Sequence, residues 1–374
     1  MLHINKKILI VFSALLVITA SLFISCDDKG ITEDRYQIEY YRTAQLKNIY
    51  NNGIVTLTDA FSQEVIQLKE SINNLKQTTT LNNLVSSQNN WKNVMKTWKQ
   101  LELYNLGAIQ NSFIHFEINR WETNTSLIND YINGSDVINE TYVESKGSSA
   151  KGLSAIEFLL FSSENNQTVL NTLTTALNSQ RRLDYLLALS ENLEKKETKL
   201  KTLWTNSEDT FLNSLQNGIS GSQNQLTNAM VSLIEEIVIS KLGKPLGEKR
   251  GGTISVNSLE AYRSGFSLEI INQHLMALEK CYSGNFKQNS IKWGYDNYLD
   301  LIGSVTLNEK INTAFANCKL KIETIKNPLR EELINNKQNV AELRSSFTNL
   351  LVLIKVDLAN AIGSTITISD NDGD

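Results

Sequence analysis

The sequence predicts an all-α protein, and three observations carry that expectation. Only two prolines, Pro245 and Pro328, occur in 374 residues. Leu, Lys, Glu, Asn and Gln recur throughout, a balance that suits long helices better than turn-rich β architecture. Finally, apolar residues repeat at helical spacing over several long windows. At 41% apolar and 8% aromatic residues the chain has enough hydrophobic material for a packed core, which excludes a disordered protein.

Taken in order, the first clear element is KGLSAIEFLLF, residues 151–161, which reads as the start of a buried helix carrying one carboxylate, Glu157. A carboxylate among core residues must hydrogen-bond, pair, bind a metal or point away from the apolar stripe. From Leu226, the positions Met230, Leu233, Ile234 and Ile237 share one helix face until Gly243 and Pro245 supply a stop. Ser267 is expected to cap a third helix, with Leu268, Ile271, Leu275 and Leu278 facing inward until Gly284. Val340, Leu343, Phe347, Leu350, Leu351, Ile354, Leu358 and Ile362 hold one phase up to Gly363. Such stripes must bury against one another, so bundles are expected. The polar, Gly- and Ser-bearing stretch 216–224 is the clearest break, placing one helical bundle at 34–216 and another at 225–368. Residues 123–152 read as irregular and polar.

The N-terminus has a basic pair, Lys6 and Lys7, and an uncharged run over residues 8–25 that ends before Cys26. This is a targeting segment, and Phe23-Ile24-Ser25-Cys26 resembles the bacterial lipobox. The resemblance implies cleavage of residues 1–25, acylation of Cys26 and lipid anchoring to the bacterial cell envelope; a retained signal anchor is the alternative. A short polar tether, residues 26–33, would follow. Removing the peptide takes Lys6 and Lys7 and no acid, moving the formal charge from −4 to −6. No basic stripe remains, which argues against a nucleic-acid partner. Cys281 and Cys318 are left as one disulfide or two buried thiols. The acidic end, residues 369–374, is too short for an EF-hand and reads as a solvated tail.

Standard catalytic constellations are missing. The mature chain keeps only His115 and His274, too far apart in sequence for a helical zinc motif, and it has no G-x-S-x-G or C-x-x-C. His115 lies beside Glu117, Arg120 and Trp121, a cluster suited to an anionic or chelated ligand. The alternative is a partly buried histidine next to an Arg120–Glu117 ion pair at i, i+3 spacing.

Gly152-Leu153-Ser154-Ala155-Ile156-Glu157 resembles the G-x-H-x-x-E motif of the imelysin-like proteins, a bacterial envelope family also classed as peptidase family M75 and linked to iron regulation. Trp91, Trp98 and Gly107, KLGKPLG at 241–247, and the segment 262–284 with Ser264 and Ser267 add ordered matches, and residues 107–121 are similar to a lipoprotein branch. The resemblance implies two helical bundles related as a duplication, with a ligand site between them formed by Gly152, Ser154, Glu157, His115, Glu117, Arg120, Trp121, Ser264 and Ser267. It makes Glu157 and His115 the candidate ligands for iron or another divalent metal. Ser154 stands where the motif has histidine, a far better transition-metal ligand, and this weakens the metallopeptidase implication. Ser154 is instead expected to bond Glu157 or to cap its helix, and Ser264 and Ser267 could serve as caps alone. The leading expectation is a non-enzymatic lipoprotein binding iron, an iron chelate or haem together with outer-membrane uptake machinery. A metallopeptidase and an envelope adhesion or assembly module are the alternatives.

Overall fold

The computed structural model describes residues 28–287 and 292–367; residues 1–25, read above as a signal peptide, Cys26 and the expected acidic tail at 369–374 lie outside them. Among the described residues every regular element is helical, and the sole bridge pairs Asn119 with Gly152. The described residues from Thr43 onward cohere as one compact unit. Helix α1, Asp28–Asn48, begins inside the stretch read as a tether. It runs through a π-helical turn, Ile49–Ile54, into α2, Val55–Gln77.

Helix α3, Leu81–Leu101, starts where the Thr80 hydroxyl accepts the Asn83 amide, one of the donors a helix start leaves unpaired. Its buried stripe of Leu84, Trp91, Val94, Met95 and Trp98 packs on α2, where Phe61 meets Trp98 at 5.6 Å between ring centroids. The 35-residue helix α10, Ser179–Asn213, covers the other side of α2. Between α3 and α10 the chain makes short helices: α4 (Gly107–Asn111), α5 (Ile114–Ile118), α6 (Thr125–Asn133), α7 (Glu140–Glu144), α8 (Gly152–Leu160) and α9 (Asn166–Thr174). The stretch 123–152 is thus more helical than its composition suggested: Asn124 and Asn139 cap α6 and α7 with their side chains. Trp91 donates its indole N–H to the Leu153 carbonyl at 2.9 Å, which ties α8 to α3.

The expected break at 216–224 holds a loop up to Gly221, and α11, Ser222–Glu235, begins inside it. α11 continues as a π-helical segment, Glu236–Gly243, and a short turn, α12, Lys244–Leu246. Then come α13 (Ser267–Ser283), α14 (Tyr295–Leu301), α15 (Val305–Thr324), α16 (Leu329–Asn335) and α17 (Lys337–Val352), the last extended by a π turn, Leu353–Leu358, and α18, Ala359–Ile362. The predicted inward residues of the final helix are buried except Leu351, and in α13 Leu268 is partly exposed. Ser267 does not cap α13: it is the first helical residue, and its hydroxyl donates to the Glu260 carbonyl. Helix α13 packs against α3, with Gln100 donating to Gln273 at 2.7 Å. Cys281 and Cys318 are free, buried thiols.

Candidate functional site

The site is built from a glycine upward. Gly152 has φ +74°, and a Cβ there would lie 2.4 Å from the Ile118 carbonyl oxygen. Only glycine tolerates that approach, which brings the start of α8 against the end of α5 and makes the Asn119–Gly152 bridge. Asn119 is thereby aimed inward. Its amide donates to Glu260 Oε1 at 2.9 Å and accepts from the Ser154 hydroxyl at 2.7 Å. Ser154 therefore neither caps α8 nor bonds Glu157; it orients an amide that holds a second acid.

Glu260 is the centre of a buried ionic cluster. Lys99 Nζ lies 2.6 Å from both Glu260 and Glu102, and Lys241 lies 2.5 Å from Glu260 and 2.7 Å from Glu236. His274 Nε2 meets the other Glu102 oxygen at 2.7 Å. Glu236 and Lys241 are five residues apart, a spacing that diverges on an α-helix and aligns on the π-helical segment carrying them. Burial alone would raise Glu260, but Lys241 and Lys99 outweigh it and hold the carboxyl down to about 2. Burial likewise opposes ionised Glu102, yet Lys99 and the His274 hydrogen bond keep it well below the ordinary range. For the histidines burial wins: His274 and His115 are both lowered, with Glu102 opposing.

These shifts give stability a pH dependence of one sign. An unfolded chain binds protons at the histidines below their ordinary 6.5 and at the glutamates below 4.5 more readily than the folded protein does. Stability is thus full above the histidine range and is lost as pH falls, first by histidine protonation and then on the way toward about 2. Glu157, raised by burial against the Ser264 amide, acts in the opposite sense, as do Glu64 and Asp296, but these three stand against six groups, since Glu144 and Glu342 are lowered by their lysine partners as well. Urea midpoints at about pH 7, 5.5 and 4 should descend in that order; a midpoint that holds on acidification would contradict the network.

Two cavities flank the cluster, and a third lies beyond. The largest, of 540 Å³, is lined by His115, Phe116, Asn119, Arg120 and Trp121 opposite Glu236, Lys244 and Glu260. His115 stacks on Trp98 at 5.2 Å and is partly exposed. Trp121 has Lys241 and Lys244 over its ring at 5.7 and 5.5 Å. Exposed Arg120 stands 5.3 Å from the Phe116 ring and donates to the Ser148 hydroxyl at 3.3 Å. It does not pair with Glu117, which takes Lys151 at 2.6 Å and Lys196 at 3.4 Å and so braces α5 against α10. Lys151 lies nearer because it directly precedes the bridged Gly152.

Glu157 is buried, and its Oε1 accepts the Ser264 backbone amide at 2.9 Å. It lines a separate cavity of 190 Å³ with Ser154 and Arg263, so the structure does not bring Glu157 and His115 to one point. Sequence reasoning missed Lys99, Glu102, Glu236, Lys241 and Glu260. One signal was available: Glu102 continues the stripe of Trp91 and Trp98 and is, like Glu157, an acid on an apolar face.

The donors present do not fit the divalent metal that the motif resemblance implies. The histidine position is a serine bound to Asn119, Glu157 is engaged by a backbone amide, Glu102 is held by two nitrogen donors and Glu260 by three. Among the described residues no three His, Cys, Asp or Glu side chains converge as a ligand set.

The family model described as Imelysin (Peptidase M75) matches residues 55–355. An imelysin-like protein from Psychrobacter arcticum 273-4 superposes with a TM-score of 0.73 at 18% identity, covering 88% of this chain and 98% of that one. A candidate iron-regulated protein A precursor from Parabacteroides distasonis ATCC 8503 gives 0.71 at 14% identity, covering 86% and 95%. At such identities the two structures establish the shared fold alone. None of the curated proteins matches the sequence. The family match spans most of the chain and includes the Gly152, Ser154 and Glu157 motif, and the chain belongs to the imelysin family.

Proposed function

We propose that this imelysin-family protein is a lipid-anchored binding protein of the bacterial envelope that takes an anionic iron chelate in the 540 Å³ cleft and works with outer-membrane uptake machinery. The volume lies within the range of small-molecule sites. Arg120 carries the reading: among the described residues no carboxylate pairs with it, whereas Lys99 and Lys244 on the same walls are paired. Around it stand Phe116, His115 and Trp121, faces for the planar part of a chelate. Chelated rather than bare iron is favoured because the chain's own donors are already engaged. The name of the Parabacteroides neighbour, with its reference to iron regulation, supports the same direction.

The test is calorimetric titration of the full chain in detergent with ferric iron, ferrous iron, haem and ferric siderophores. One or more anionic chelates should bind and free iron should not. Arg120→Ala should weaken that binding by about 10- to 100-fold, the worth of a charge-assisted hydrogen bond. The unfolding midpoint should not move, because Arg120 is exposed. Absence of binding to every chelate would remove the proposal.

A further inference from the structure

The cavity on the far side of His115, of 430 Å³, has no place in the chelate reading. It shares Glu102, Asn105, His115 and Glu236 with the larger cleft, but its composition is different. No lysine or arginine lines it, whereas the larger cleft has three. Its walls are side-chain amides, Gln110 and Asn111 on one side and Gln225 on the other. Asn224 and Asn228 belong to the same wall, and their amides are taken by Thr365 and Thr367, which fixes α11 on that side. The side-chain amide oxygen Oδ1 of Asn105 is buried without a hydrogen-bond partner.

The buried cluster behind this wall is unbalanced. Glu102, Glu236 and Glu260 face only Lys99 and Lys241, because burial keeps His274 neutral. One negative charge is in excess. Of the three acids Glu236 is the open one, its side chain 36% exposed; it lines both cavities, and on this side no protein cation stands in the wall. A buried excess charge favours a counter-charge from outside.

We infer that this cavity is a subsite for an organic ammonium group, which donates to Glu236 and to amide carbonyls such as that of Asn105. An ammonium fits better than a metal ion. It has three donors and needs only acceptors, while a divalent cation requires several direct oxygen ligands that do not converge here. The inference stands apart from the chelate proposal, since its test uses no iron chelate and does not depend on Arg120.

The experiment titrates the full chain in detergent with cadaverine, pentanediol and glutarate, three chains of equal length that differ in charge. Cadaverine should bind at least about 10-fold more tightly than the other two. Ser232→Lys, at an exposed serine on the cavity wall, tethers an ammonium there and should reduce cadaverine affinity by at least about 10-fold with an unchanged unfolding midpoint. Gln225→Lys should do the same from two turns away on the same helix. Absence of cadaverine binding, binding that both lysine variants leave intact, or displacement of cadaverine by equimolar magnesium or ferrous ion would each overturn the assignment.

Discussion

Lys99→Met is expected to destabilise the protein by about 3–5 kcal/mol, the cost of stripping one partner from a buried ion pair. The side chain is 1% exposed, and its ammonium joins Glu102, on the next turn, to Glu260, which lies 161 residues from Lys99 in sequence. Methionine fills nearly the same volume, so the loss is electrostatic rather than a cavity. Three carboxylates would then face Lys241 alone. His274 would have to take up a proton to restore part of the balance. A second change tests the charge count directly: Lys99→Met with Glu102→Gln removes one charge of each sign and should recover more than half of the loss. Urea unfolding with an unchanged slope is the measurement. If Lys99→Met lies within about 1 kcal/mol of the parent, or the double variant is no better than the single, the cluster does not act as one set of charges.

The helices were legible to the degree that one face of each is buried. Leu226 to Ile237 and Val340 to Ile362 keep a helical period because that period decides which side chains meet the core. What a period cannot reveal is a π turn, whose extra residue rotates the following face. The stretch 236–243 therefore read as ordinary helix, although the π turn is what sets Lys241 over Glu236. The site was half legible. An acid in an apolar run marked Glu157, and the motif marked Gly152 and Ser154. Glu260 lies in a turn before α13 with no period to betray it, and its partners Lys99 and Asn119 come from elsewhere in the chain. Lys99 resembled any solvated lysine on an amphipathic helix. Ser267 looked like a cap because serine before a helix usually is one; the carbonyl it holds belongs to the residue at the centre of the cluster.

Gly152→Ala should be as damaging as the loss of Lys99, for reasons of backbone rather than charge. At φ +74° an alanine carries about 1–2 kcal/mol of intrinsic strain. Its methyl group would also stand 2.4 Å from the Ile118 carbonyl oxygen and 2.9 Å from that of Glu117. Neither oxygen can yield as a flexible side chain would, since Ile118 is buried and Glu117 is held by Lys151 and Lys196. Relief requires α5 and α8 to part, which withdraws Asn119 from Glu260 and Ser154 from Asn119. The total should exceed about 3 kcal/mol in urea unfolding, in the range reserved for backbone clash and broken buried networks. Gly147→Ala is the control, since a Cβ at Gly147 meets nothing within 4 Å and its φ is −63°. That change should stay within about 0.5 kcal/mol. Equal effects at the two glycines would mean that the first position of the motif serves loop flexibility, and the close approach that positions Asn119 would lose its claim to organise the site.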